Sequence, residues 1–133
     1  MKNLIFLLLL FILTLSCSSP KENIRKELEH IYKGNITTEE TSDGTKYTLL
    51  YSVLEEDKFN TDCRAIKEHI DKITGSLPTT EIDQMLSKDQ KSMSDIKAWE
   101  TPTIVVLLSN GTRLIDNSND KRPYIIDVTV REK

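Results

Sequence analysis

The chain holds two cysteines, Cys17 and Cys63, and their surroundings differ completely. Cys63 follows Phe59-Asn60-Thr61-Asp62 and precedes Arg64. Asn60 and Thr61 are good N-caps, so the spacing predicts a helix from there to about Thr74, with Gly75 after it. Phe59, Cys63, Ile66, Ile70 and Ile73 fall within an arc of about 80° on its wheel. In the first turn of that helix the dipole favours a thiolate, and the Arg64 cation adds to it. These features make Cys63 the candidate catalytic group. The same position lies on the edge of an apolar stripe, where free cysteine commonly serves as a small buried hydrophobe. Dithiol exchange needs a second thiol to resolve the mixed disulfide, and Asn60, three residues earlier, has none.

Other reactive side chains do not gather. His30 and His69 are the only histidines. His69 stands six residues from Cys63, about 120° away around a helix, so the two cannot chelate from one face. No Cys/His spacing fits a zinc site, and neither metal nor cofactor is expected. The acidic pairs and triplets, Glu39-Glu40 and Glu55-Glu56-Asp57, read as solvated surface, because adjacent side chains point in different directions. No serine nucleophile motif, phosphate-binding glycine loop or calcium loop is present.

Cys17 follows a 12-residue apolar run, Leu4 to Leu15, headed by Lys2 and flanked by Ser16, Ser18 and Ser19. A membrane-spanning helix needs roughly 20 apolar residues, so the run is of signal-peptide length. Thr14-Leu15-Ser16-Cys17 resembles the lipobox of bacterial lipoproteins, with Thr14 where leucine is usual. The resemblance implies cleavage after residue 16 and lipidation of Cys17 as the first mature residue. It also implies a protein anchored to the cell membrane or outer membrane and facing the periplasm or the exterior. Its partners are then the lipid membrane and an envelope protein. Ser18 resembles the residue that sends such proteins to an outer membrane.

Residues 17–133 are enough for one globular domain. The whole chain has a net charge of −3, and losing Lys2 takes it to −4. With no Lys/Arg cluster to neutralise phosphates, nucleic acid is not an expected partner.

The elements that must hold these residues begin at Ser19. Ser19 with Glu22 forms a capping box, and Pro20 takes the first helical position. Ile24, Leu28, Ile31 and Tyr32 follow at helical spacing, with Gly34 as the stop. Almost no tether separates Cys17 from folded structure. Asn35–Thr41 reads as an edge strand, Asp43-Gly44 as a hairpin turn, and Lys46–Leu54 as a strand with Tyr47, Leu49, Tyr51 and Val53 on one face. Residues 77–86 fit either a strand or a helix, and Ser92–Trp99 reads as a short helix. Ile104–Leu108 is a buried strand, Asn110-Gly111 a hairpin turn, Thr112–Asp116 its return strand, Asn117–Arg122 a loop and Tyr124–Val130 a last strand.

Phe59 to Ile66 after a strong strand resembles the active-site segment of the thioredoxin family. Thr101-Pro102-Thr103, some forty residues later, looks like that family's cis-proline segment. The resemblance covers roughly residues 46–116. It implies a small α/β domain, a mixed central sheet flanked by helices, with Thr101 and Pro102 in substrate binding. Cys63 aligns with the resolving cysteine, Asn60 with the nucleophilic one, and Thr61 and Asp62 with the glycine and proline between. The function implied is a thioredoxin-like domain without catalysis, acting in binding or assembly, or else a thiol–disulfide oxidoreductase working through Cys63 alone. The alternative architecture is a two-layer α+β domain similar to profilin and roadblock folds. A strand at residues 77–86 is expected for the first fold, a helix for the second.

Overall fold

Ser19 closes the first turn of the first helix: its Oγ accepts the Glu22 N–H at 3.2 Å, and Pro20 fills a position whose N–H has no helical partner anyway. A computed structural model describes residues 18–86, 92–113 and 124–133. The apolar run, Cys17, Leu114–Asp116 and the Asn117–Arg122 loop lie outside the described residues. Helix α1 spans Pro20–Tyr32 and ends at Lys33, one residue before the expected stop, in a left-handed conformation with its N–H on the Glu29 carbonyl. Strand β1 (Thr37–Thr41) turns through Ser42 and Asp43 into β2 (Gly44–Tyr51). Thr41 Oγ1 accepts the Asp43 N–H and donates to the Gly44 carbonyl, which secures the turn.

Along β2 the pattern alternates without a break, with Thr45, Tyr47, Leu49 and Tyr51 buried. The strand stops at Tyr51 and not at Leu54. Ser52 and Glu55 form a capping box over a short 3-10 turn, Val53–Glu55, with the Glu55 carboxylate accepting the Ser52 N–H at 2.8 Å. Helix α2 therefore runs Glu56–Thr74 and starts a full turn before Asn60 and Thr61. Val53 and Leu54 are left in solvent, Leu54 being 93% exposed.

Four strands follow: β3 (Thr80–Leu86), β4 (Ser92–Glu100), β5 (Ile104–Arg113) and β6 (Tyr124–Glu132). They form a meander, and β6 then lies against β2, giving the order β1-β2-β6-β5-β4-β3. Every pairing is antiparallel. The mixed sheet implied by the thioredoxin resemblance is thus not the sheet observed. Residues 80–86 do form a strand, yet it sits at an edge and pairs with β4 alone.

The helix expected over Ser92–Trp99 is strand β4. Asn110 and Gly111 do not turn the chain; they lie within β5, between Asp95 and Ser94 on one side and Ile126 and Ile125 on the other. The reason is steric. A Cβ on Gly111 would come within 2.0 Å of the Met93 carbonyl oxygen and 2.7 Å of Ser94 Cα, so only glycine permits these strands to approach.

The register places Trp99, Val106, Val130 and Thr45 in one row across the sheet, all buried. Leu49 and Ile126 form a second row and Tyr47, Val128 and Leu108 a third, on the same face. Both helices cover that face: Ile24 and Leu28 of α1 and Phe59, Ile66 and Ile70 of α2 join the strands in a single core. The described residues form one small α+β domain, a six-stranded antiparallel sheet with two helices.

Candidate functional site

Cys63 stands in the second turn of α2, because the Ser52–Glu55 box starts the helix early. The dipole effect fades within the first turn, so the expected support for a thiolate is missing. The thiol is half-buried against the core. Burial pushes it up to about 12, and the nearby Asp62 and Asp95 carboxylates act in the same direction. At neutral pH it is a protonated thiol.

The densest polar arrangement is next door, at the junction of β2 and α2. Asp62 is buried and accepts two hydrogen bonds, from the Tyr51 hydroxyl at 2.9 Å and from the Lys58 ammonium one helical turn earlier. Lys58 Nζ lies 5.3 Å from the Tyr32 ring centre and 5.2 Å from that of Tyr51, so the cation also meets two π-faces. The rings stack onward, Tyr32 edge-on to Tyr51, Tyr51 edge-on to Phe59, and Phe59 parallel to Tyr124 at 5.1 Å. Tyr32 donates its hydroxyl to the Leu50 carbonyl. Burial, then the bond to Asp62, holds the Tyr51 phenol far above the usual tyrosine range. Tyr51 is therefore a fixed donor and no base, and Asp62 has both its partners inside the fold. The arrangement clamps α2 to β2 and has no vacant acid–base position.

A second carboxylate works in the same way. Asp71 Oδ1 accepts the Trp99 indole N–H at 2.9 Å and Oδ2 the Lys67 ammonium at 2.8 Å, tying α2 to β4. Sequence reasoning missed both clamps. Their signals were the Lys58/Asp62 and Lys67/Asp71 pairs at i,i+4 and the Ser52-x-x-Glu55 box.

Thr101 and Pro102 form the β4–β5 hairpin. Thr101 N–H donates to the Ile104 carbonyl at 2.9 Å, and Thr101 Oγ1 accepts the Ile104 N–H at 3.1 Å. Pro102 occupies the second turn position, where its fixed φ is favourable, and every described peptide bond is trans. Along β4, Trp99 meets Asp71, eight residues beyond Cys63 and about 12 Å up the helix, and the hairpin lies three residues further. The structure does not bring Cys63 and Pro102 together.

His30 is exposed. His69 Nδ1 is 3.8 Å from the Glu27 carboxylate across the two helices, and its Nε2 is buried without a partner among the described residues. Among those residues no group of His, Cys, Asp and Glu could hold a metal ion. No family model, curated protein or solved structure matches the chain.

Proposed function

We propose that this protein is a bacterial lipoprotein of the cell envelope, anchored through Cys17, whose domain works by binding and not by catalysis. The observation that carries the reading is the Leu4–Leu15 run ending at Ser16-Cys17. The position of α1 supports it: Ser19 already caps the helix, so only Ser18 intervenes and the domain is held close to the bilayer. No helix of the described residues is long and apolar enough to cross a membrane.

Binding is favoured over thiol chemistry by the protonated, half-buried Cys63 and by its distance from Pro102. Of the two fold readings, an antiparallel sheet with both helices on one face supports the two-layer α+β one. The sheet's other face suits an envelope protein partner, since Ile82, Met85 and Leu107 on that side are 43%, 48% and 39% exposed. Metabolic labelling with a palmitate analogue tests the anchor. The wild-type chain takes up label and sediments with membranes, and Cys17→Ser does neither. Labelling that survives Cys17→Ser overturns the proposal.

A further inference from the structure

The end of the domain from which α1 departs carries an apolar tip. Helix α1 starts beside the β1–β2 turn: Lys21, in its first turn, meets Glu40 at 3.7 Å, and Glu40 pairs with Thr45 next to that turn. The register carries this end across the sheet, through Thr45 with Val130 and Ile104 with Glu132, to the Thr101–Thr103 turn between β4 and β5. Helix α2 also ends here, since Thr79, just beyond it, donates its N–H to the Ala98 carbonyl of β4 at 2.7 Å. Leu77 lies in that connection and is 73% exposed. Pro102, on the neighbouring turn, is exposed as well.

A lone exposed leucine means little by itself; its position relative to Cys17 gives it meaning. Only Ser18 separates Cys17 from the N-cap Ser19, and two peptide links reach at most about 7 Å. A helix is roughly 10–12 Å thick, so beside the anchor no folded partner fits between this end and a bilayer. The Leu77–Pro102 tip stands on the far side of the same end. From β1 to β4 is four strand spacings, roughly 19 Å. The anchor and the tip therefore straddle one end of the domain, and seating that end on lipid brings both down together.

Charge neither drives this contact nor blocks it. Lys21 is paired with Glu40, and Lys133 with Glu100 at 2.7 Å, so the cations closest to the two points already have carboxylates. What the bilayer can take is the apolar tip, at the headgroup–acyl boundary where exposed leucine side chains partition. We propose that Leu77 and Pro102 make a second, non-covalent contact with the phospholipid bilayer. The domain then stands on this end, its strands rising away from the surface and the open face of the sheet left clear. This contact presupposes the lipidation of Cys17 proposed above.

Spin labelling of the lipidated chain in phosphatidylcholine vesicles tests it. Cys63→Ala removes the other free thiol, and a nitroxide is placed on Leu77→Cys or, at the opposite end beyond β2, on Leu54→Cys, both positions being well exposed. Collisions with oxygen and with a nickel chelate report whether each label sits in lipid or in water. Compared with the unlipidated Cys17→Ser chain in solution, the label at position 77 loses most of its collisions with nickel in vesicles and gains collisions with oxygen. The label at position 54 keeps its solution values. A chain that does not float with the vesicles overturns the anchor and this contact together. A floating chain whose label at position 77 meets nickel as freely as in solution, or whose two labels are shielded alike, overturns the contact alone.

Discussion

A thiol held at about 12 has consequences for both reactivity and stability. An unfolded cysteine ionises near pH 8.5, so between that pH and about 12 the folded chain keeps a proton that the unfolded chain releases. Stability attributable to Cys63 is complete below pH 8.5 and declines as pH rises through that window. Tyr51 and Tyr47, also raised by burial, add to the decline only above about pH 10. Cys63→Ala should therefore flatten the loss of melting temperature between about pH 8.5 and 10 and leave the steeper loss above it. Iodoacetamide near neutral pH should leave the Cys63 peptide unlabelled in the native protein and label it fully in urea; rapid native labelling contradicts the placement. Tyr51→Phe removes one of two donors to a buried carboxylate and should cost about 1.5–3 kcal/mol in urea denaturation. A cost within error of zero shows that Asp62 does not clamp α2 to β2.

Two glycines separate backbone crowding from backbone conformation. Gly111 has no room for a Cβ between β5 and β4, so Gly111→Ala should destabilise by about 3 kcal/mol, the upper part of the overpacking range. Gly75 ends α2 in the left-handed region with φ 67° and open space around it, so Gly75→Ala should cost only about 1 kcal/mol of conformational strain. Equal losses in thermal or urea unfolding contradict the close approach of the two strands. Gly111 also explains why part of the fold escaped sequence reading. Asn-Gly is a turn signal only when nothing presses on the glycine from across the sheet, and the neighbouring strand is not visible in local sequence. Strand β4 misled for a related reason. Met93, Ile96 and Trp99 fit a helical spacing, while the alternation that marks a strand is broken by Asp95 and Lys97, which share the helix-covered side of the sheet with Trp99. The legible elements were those that bury one continuous stripe, namely α1, the Asp43-Gly44 hairpin, the buried face of β2, most of α2, the Ile104–Leu108 part of β5 and the Tyr124–Val130 part of β6. The Tyr51–Asp62–Lys58 clamp needed the β2–α2 contact to be known before its three residues had any relation.

The molecule as a whole presents a packed side and an open side. Two helices seal one face of the sheet, and the opposite face carries Ile82, Met85 and Leu107 among hydroxyl side chains and the Lys46–Asp127 ion pair at 3.2 Å. The proposed attachment at Cys17, three residues before α1 begins, would hold α1 near the bilayer and leave the domain little freedom to reach distant partners. The buried charges pair inside the fold, and Cys63 is kept protonated, so neither the interior nor the thiol competes with a role in binding. Mass spectrometry of the N-terminal peptide from membranes of the natural host decides whether this arrangement exists. The result expected is a mature chain that starts at Cys17 and carries a diacylglyceryl thioether, with residues 1–16 gone. An N-terminus at another residue, or an unmodified Cys17 thiol, contradicts it.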